Sequence, residues 1–469
     1  MKQDMHFDSR SHLPSLIHQL QPKRVLVVGD LLLDTYTSGE VQRISPEAPV
    51  PVMRVMRTES LPGGAGNVAR NLLSLGNSVF LLSRIGELDP AGEAVLNTLQ
   101  KSSQHCFTKG VFQQKQYYTP EKNRLISQSQ QLLRIDREEI TPVPHDLILK
   151  VRAYLASLSG EIDIIAVSDY GKGFISAELM QELYIFSQDN SLKIIVDPKN
   201  NDFAHYTGAY LIKPNQLEAQ RAASLTPHAN LSDVAKCIFE RAPFLKHLMV
   251  TRAKDGLSLF SSKPRAMQHY TIAPQEVVDV TGAGDCVLAT IVFALACDLN
   301  LDDTCRLANV AGTLAVRRLG CVTLDLGDVA HEMLKCHQTT KILSEKGHLF
   351  ALRQISQSKQ LALITTENVP SKLALSFITH LKTLLEKIPD STTLLYIPNS
   401  QSTEFHEFLE VISLLENLDF ILLKESEGIE NKKHLEARIA PKVRFHWTRD
   451  GFVQACSMSN TDLFIEQVI

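Results

Sequence analysis

The stretch VVDVTGAGDC at 277–286 runs directly into VLATIVFALA, so an ionisable carboxylate, Asp285, stands against one of the most apolar segments of the chain. Gly282, Ala283 and Gly284 carry almost no side chain, so the backbone there can come close to a ligand. They precede a segment whose composition predicts a buried helix. The first amides of a helix lack intrahelical partners and sit at the positive end of its dipole, which favours an anion. Asp285 falls in that first turn. There it can take a proton from an attacking hydroxyl while the amides of 282–284 hold the charge developing on a transferred phosphoryl group. The competing reading is structural, with Thr281 or Asp285 simply capping or charge-stabilising a buried helix.

Such chemistry needs a rigid frame, and the sequence supplies one. From about residue 24 to residue 320, short apolar runs alternate with helical patterns: RVLVVGD, SVFLLSRIG, IDIIAVSD, KIIVDPK, AYLIKPN and HLMVTR. Continuous apolar strands separated by helices predict an α/β fold with a doubly wound, mostly parallel sheet covered on both faces. Ligands collect at the carboxyl ends of such strands. Residues 36–58 and 111–136 break the pattern with β-branched, aromatic and proline residues, and predict a small β lid over the site. An exposed sheet of that kind calls for a partner to cover its edges, hence an expected homodimer. After LGCVTLDLGD, residues 327–345 read as helical, and a shorter alternation follows: QLALITTE, TTLLYIPN, DFILLKE and KVRFHWT. The expectation is a large domain over 1–330 and a smaller α/β domain over 340–469.

Composition narrows the function classes. With 44% hydrophobic and 21% charged residues the chain is that of a globular protein, and at 469 residues it exceeds one ordinary core. The net charge of -4 comes from 48 basic and 52 acidic residues that are well mixed, which speaks against a nucleic-acid or membrane partner. The charged N-terminus lacks the apolar run of a signal peptide, and the apolar run from Cys286 to Cys297 falls short of the roughly 20 residues a membrane span needs. A cytoplasmic protein is expected. The eight cysteines show no CxxC and no spacing typical of a zinc site or disulfide framework, so they read as small buried hydrophobes.

Two segments together identify a family. VDVTGAGDC resembles the second signature of the ribokinase-like (PfkB) carbohydrate kinases, and PGGAGNVARNL at 62–72 resembles the first. GDLLLD at 29–34, RISPEAPVPV at 43–52, SDYGKG at 168–173, DPK at 197–199 and KPNQLE at 213–218 are similar to the kinase half of the bifunctional heptose 7-phosphate kinase/heptose 1-phosphate adenylyltransferases. The resemblance covers roughly 20–325. It implies ATP and Mg²⁺ as cofactors and phosphorylation of D-glycero-D-manno-heptose 7-phosphate at the anomeric hydroxyl, a step toward the ADP-heptose of lipopolysaccharide core.

Carried over residue by residue, the resemblance implies that Asp34, Gly63, Gly64 and Asn67 hold the sugar hydroxyls, a carboxylate and an amide offering directed acceptors and donors to a polyol. Asn67 has helix capping as its alternative. Lys122 and Arg124 match a basic pair expected at the sugar's phosphate, with Arg43 assisting; solvated surface charge is the alternative for each. Gln128 and Ser129 depart from the Arg-Asn expected there. Asn215 and Glu218 form the N-x-x-E associated with Mg²⁺, which prefers hard oxygens held partly through water, the alternative being a solvated turn. Thr251, Arg252 and Gly256 match contacts to the ATP phosphates. Asn309 matches a residue near the adenine, or is a packing amide.

In the second domain the resemblance implies a nucleotidyltransferase whose H-x-G-H motif follows a strand with an N-G-x-F-D turn. The candidate here is Glu345-Lys346-Gly347-His348, with Glu345 in place of the first histidine, and KCHQTTKILSE upstream has no N-G-x-F-D. A carboxylate there would repel a triphosphate. The expectation is a degenerate domain that keeps its fold without adenylyltransferase chemistry, CSMSNT at 456–461 echoing a terminal motif. Two other functions stay open: the same transfer to another sugar or sugar phosphate, and a non-catalytic sugar-phosphate binding scaffold.

Overall fold

The structure, a computed structural model, describes residues 13–128, 130–263, 266–273, 276–336, 341–343, 345–366, 375–400, 402–424, 432–448, 451–455 and 465–467. The chain forms two units, one of Gln21–Leu324 and one of the residues up to Leu20 together with those from Asp325 onward. The N-terminal segment therefore goes with the second unit, and the junction falls at Leu324. Its Leu16, Ile17 and Leu20 are apolar and buried, lying against the helices Leu326–Cys336 and Glu345–Ser358.

In the first unit the strands are β1 (Arg24–Gly29), β2 (Leu31–Ile44), β3 (Pro51–Gly64), β4 (Ser78–Gly86), β5 (Cys106–Gln114), β6 (Glu121–Ser127), β7 (Gln130–Arg137), β8 (Ile164–Ser168), β9 (Ile194–Asp197), β10 (Leu211–Ile212), β11 (His247–Thr251), β12 (Leu257–Ser261) and β13 (Ala266–Tyr270). Nine of them make one sheet in the order β13-β12-β11-β10-β9-β8-β1-β4-β5, parallel except for β12 and β13. The runs that read as continuous apolar strands are buried along their length, as a sheet covered on both faces requires. Chain order reverses at β1, so the crevice beyond the carboxyl ends of β1 and β8 is the expected ligand position. Gly29 allows that packing, since a Cβ there would overlap the Ser168 carbonyl.

The remaining strands form a four-stranded sheet, β3-β2-β6-β7. It is longer than the segments expected from composition, because β2 begins at Leu31 and β3 returns to Gly64, which also starts the helix Ala65–Ser74. At the other segment, residues 111–114 belong to β5 of the main sheet, paired with Ser83–Gly86. β-branched and aromatic residues suit either sheet, so composition could not separate them.

In the second unit, β14 (Ile342–Leu343), β15 (Leu361–Thr365), β16 (Thr392–Pro398), β17 (Phe420–Lys424), β18 (Val443–Thr448), β19 (Gly451–Ala455) and β20 (Ile465–Gln467) form a sheet in the order β14-β17-β16-β15-β18-β19-β20. Its core is aromatic, with Phe377, Phe405, Phe408 and Phe452 buried. Chain order reverses at β15. Glu345–His348 instead opens the helix Glu345–Ser358 after the two-residue edge strand β14, three strands from that reversal. The segment CSMSNT starts beyond Ala455 and lies outside the described residues up to 461. Among the described residues no helix is long and apolar enough to cross a membrane.

Candidate active site

The helix Ala283–Ala296 is buried almost all round, against the helices Leu301–Val316 and Ala65–Ser74. Its start is fixed by Asp279, whose Oδ1 accepts from the Thr281 amide at 2.9 Å and hydroxyl at 2.7 Å, and whose Oδ2 accepts from the Gly320 amide at 2.9 Å. Burial alone would raise the Asp279 carboxyl, but these bonds outweigh it and hold it below the usual range. Gly282 follows with a left-handed φ of 74°, and a Cβ there would stand 2.8 Å from Asn67 Nδ2. Glycine is required on both counts.

Asp285 is only 3% exposed. Its Oδ1 accepts from the Tyr170 hydroxyl at 2.9 Å and its Oδ2 from Asn67 Nδ2 at 2.8 Å. No side chain caps the helix, since the Thr281 hydroxyl is turned to Asp279, so the capping alternative falls. Burial pushes the Asp285 carboxyl up to about 7; Asp197 adds to this, while Asn67, Tyr170 and Lys213 oppose it. One correction concerns the amide cradle: the Ala283 N–H bonds the Val280 carbonyl at 3.3 Å, closing the turn that leads into the helix.

Beside Asp285, which is not itself among the lining residues, lies a cleft of about 680 Å³ lined by its partner Tyr170, by Asp197 and by Ala283, Gly284, Asn215, Glu218, Thr251, Arg252, Gly256 and Asn309, so the nucleotide-side residues are brought together. Asn215 and Glu218 first of all make a capping box, Asn215 Oδ1 accepting from the Glu218 amide and Glu218 Oε2 from the Asn215 amide, both at 2.9 Å. The box leaves Glu218 Oε1, 3.7 Å from Lys199 Nζ, and the second lone pair of Asn215 Oδ1 as hard oxygen donors, and among the described residues there is no cluster of three or more His, Cys, Asp or Glu that could cage an ion. That donor set fits a Mg²⁺ that keeps most of its waters and enters with a nucleotide. Asn309 Nδ2 donates to the Tyr270 carbonyl at 2.9 Å, so it braces β13 while facing the cleft. Gly256, with φ of 80°, passes so close to the same carbonyl that a Cβ would overlap it.

On the other side, the four-stranded sheet sets Asp34 beside Lys122 and Tyr36 beside Arg124 in the parallel β2–β6 register. Arg124 Nη1 donates to Asp34 Oδ1 at 2.6 Å, with both side chains mostly buried, and the guanidinium lies over the Tyr36 ring. Lys122 lies 5.6 Å from the centre of the Tyr170 ring. Solvated surface charge is thus excluded for Arg124, and Lys122 is half-buried. Asn67 is the third residue of its helix, whose cap is Gly64, and its buried Oδ1 has no hydrogen-bond partner, which leaves an acceptor for a hydroxyl. Arg43 does not join them. It is exposed near the far end of β2, about 30 Å along the strand from Asp34, because β2 continues well past the cleft. Gln128 is the described half of the Gln128-Ser129 departure and sits at the turn between β6 and β7 with φ of 48°, while Ser129 lies outside the described residues.

Several residues at the site went unassigned from sequence. Lys213 is buried and pairs with Asp197 at 3.0 Å, and both line the cleft within 3.8 Å of where a Gly284 Cβ would stand. Burial pushes Asp197 up to about 6 against the pull of Lys213. Lys172 is buried and paired with Glu138 at 2.7 Å. These residues sit in SDYGKG, DPK and KPN, stretches whose resemblance was visible but whose side-chain directions were not.

A nine-stranded α/β sheet with a carboxylate at a glycine-rich helix start, between a large cleft and a small covering sheet, defines a ribokinase-like sugar kinase. Residues 22–326 match the pfkB family of carbohydrate kinases, and the chain belongs to that family. The bifunctional protein HldE of Pelobacter propionicus is 36% identical over 330 residues, 70% of this chain and 67% of that protein. The chain spans about two thirds of the length of the curated relatives it matches. Among solved structures, phosphofructokinase-2 from Escherichia coli in complex with substrates and products gives a TM-score of 0.56 at 19% identity, covering 68% of this chain and 100% of that one. Arabidopsis thaliana ribokinase complexed with ribose and ATP gives 0.52 at 17% identity, covering 67% and 99%.

Gly63 offers a direct test of the sugar side. A Cβ there would overlap Asp34 Oδ2, so Gly63→Ala must displace the Asp34 carboxylate from Arg124. Steady-state kinetics are expected to show the sugar KM raised about 10- to 100-fold, the worth of one or two charged hydrogen bonds, with the nucleotide KM little changed.

Proposed function

We propose that the chain transfers the terminal phosphate of ATP to the anomeric hydroxyl of D-glycero-D-manno-heptose 7-phosphate, giving the 1,7-bisphosphate on the way to ADP-heptose. The observation that carries this reading is the position of Asp285, with the nucleotide-sized cleft on one side and Asp34, Arg124 and Lys122 on the other. The relatives named HldE favour the heptose phosphate over other acceptors. A sugar that already carries a phosphate needs cations at its far end, and Lys122, Arg124 and Lys172 supply them.

In the reaction, Asp285 accepts the proton of the attacking hydroxyl as that oxygen bonds to the γ-phosphorus and the bond to the β-phosphate oxygen breaks, releasing ADP. Lys213 and the first-turn amides other than that of Ala283 face the charge that builds on the transferred group. Asn215 and Glu218 would hold Mg²⁺ through its waters, and the ion, when bound, neutralises phosphate charge. Apolar residues Val280, Val287, Leu257 and Val316 line the same cleft and suit the adenine. ADP release over a panel of sugars and sugar phosphates, with the heptose 7-phosphate preferred, is the test of the acceptor.

The base must be deprotonated to act, and its titration lies at about 7. Accordingly kcat/KM is expected to fall about tenfold per unit as pH drops below about 7 and to level off above it. Asp285→Asn is expected to lose about 100- to 10,000-fold of turnover at every pH while still binding sugar, measured by calorimetry.

The second unit is proposed to lack adenylyltransferase chemistry. The segment that follows its central strand, ENVPSKLA at 367–374, contains no histidine, and Glu345–His348 opens a helix at the sheet edge instead. Purified chain given heptose 1-phosphate and ATP is expected to form no ADP-heptose, as followed by chromatography.

A homodimer is part of the same proposal. The four-stranded sheet leaves Ile44, Val55, Met56, Leu133 and Ile135 more than half exposed, an apolar surface that a second copy would cover. Sedimentation is expected to give a dimer, and Leu133→Glu with Ile135→Glu to give a monomer.

A further inference from the structure

We propose that Tyr170 is a positioning residue for the base, its hydroxyl orienting Asp285 through Oδ1, and that the buried Asp30 acts through Tyr170 by anchoring the loop that carries it. The inference rests on Asp285 being the base.

Asp30 follows β1 directly and is 1% exposed. Its carboxylate collects three amides of one loop, those of Tyr170 at 3.0 Å, Lys172 at 3.1 Å and Phe174 at 3.2 Å. The same loop is held from its other sides. Asp169 Oδ1 accepts from the Gly171 amide at 2.7 Å and Asp169 Oδ2 from the Tyr206 hydroxyl at 2.7 Å, while Arg84 Nη2 donates to the Lys172 carbonyl at 2.9 Å. A backbone tied at so many points has one conformation, so the place of the Tyr170 hydroxyl is a property of the fold and does not wait for substrate.

The chemistry of the pair is one-directional. Burial and the adjacent Asp285 charge push the Tyr170 phenol well above its ordinary range, so it stays protonated and can only donate to the carboxylate. With Tyr170 on Oδ1 and Asn67 on Oδ2, the Asp285 group cannot rotate, and each oxygen keeps a second lone pair for a substrate proton. A hydrogen bond to the charged form also favours that form. The Tyr170 hydroxyl therefore works against the burial that would otherwise leave the base protonated at neutral pH. The Tyr170 ring additionally carries Lys122 above it, so the residue links the base to the cation expected at the substrate phosphate.

Tyr170→Phe keeps the ring and removes only the hydroxyl. It is expected to move the acid limb of the kcat profile toward higher pH, with kcat down about tenfold at pH 7 and largely recovered by pH 9, and with the sugar KM within about twofold of the parent. Asp30→Asn is expected to shift the same limb in the same direction, and the double variant to be no further shifted than the larger single one, since the two act in series. A Tyr170→Phe profile that superimposes on the parent, or one that raises sugar KM with the limb unmoved, overturns the inference while leaving Asp285 as base. Turnover retained by Asp285→Asn would overturn the base assignment and this inference together.

Discussion

A carboxylate buried in the first turn of an apolar helix is expensive, and the site depends on how that cost is met. An unpaired charge in such surroundings would neutralise itself, and among the described residues Lys213 acts on Asp285 only through space, without a direct bond to it. What it offers instead is two neutral donors, Asn67 and Tyr170, from positions 218 and 115 residues away in sequence. The result is a titration near 7 rather than deep in the acid range: basic enough to accept a sugar proton, yet ionised over much of the neutral range. The glycines at 282, 64 and 29 make this possible, because a Cβ would crowd the Asn67 side-chain amide at Gly282, the Asp30 carbonyl at Gly64 and the Ser168 carbonyl at Gly29.

Around this centre the charges come in matched pairs. Arg124 is held by Asp34, Lys213 by Asp197 and Lys172 by Glu138. Each pair fixes a cation in place before any phosphate arrives, so the ordering entropy of long side chains is already spent at binding. The carboxylates also keep an empty cleft from being a field of bare positive charge. Under the proposed function, a phosphorylated sugar would compete for cations that are already oriented.

How much of this could be read in advance follows from how local each feature is. Strands β1, β4, β8, β9, β10 and β11 were legible because buried parallel strands are continuous apolar runs. The helix start was legible because Gly-Ala-Gly-Asp lies within one turn. Tyr170, Asp30 and Lys213 were not, since their roles depend on where a loop end points, and no periodicity encodes that. Asn215 and Glu218 show a different limit: a capping box and a metal site use the same residue types at the same spacing, and the structure realises the cap while leaving them in the cleft. Arg43 was displaced by strand length, and residues 111–114 by a composition that fits two sheets equally.

In the second unit, packing and the proposed absence of adenylyltransferase chemistry can be read separately. Its sheet reverses order at β15, so a ligand would be expected beyond β15 and β18, where Thr365 and His446 meet at 2.9 Å. Nothing of the H-x-G-H pattern falls after that strand, and the one related string opens the helix after an edge strand only two residues long. Its core is closely packed: Phe377 packs against Phe408, Trp447 and Phe452, and the helices around them keep their buried apolar faces. Aromatic packing of this kind stabilises a sheet regardless of what its strand ends carry, because the burial free energy is earned inside and catalysis is placed at the rim. In the first unit the two are inseparable. There the carboxylate proposed as the base is itself part of the buried helix, and the residues that satisfy it hold the loops and glycine turns in register.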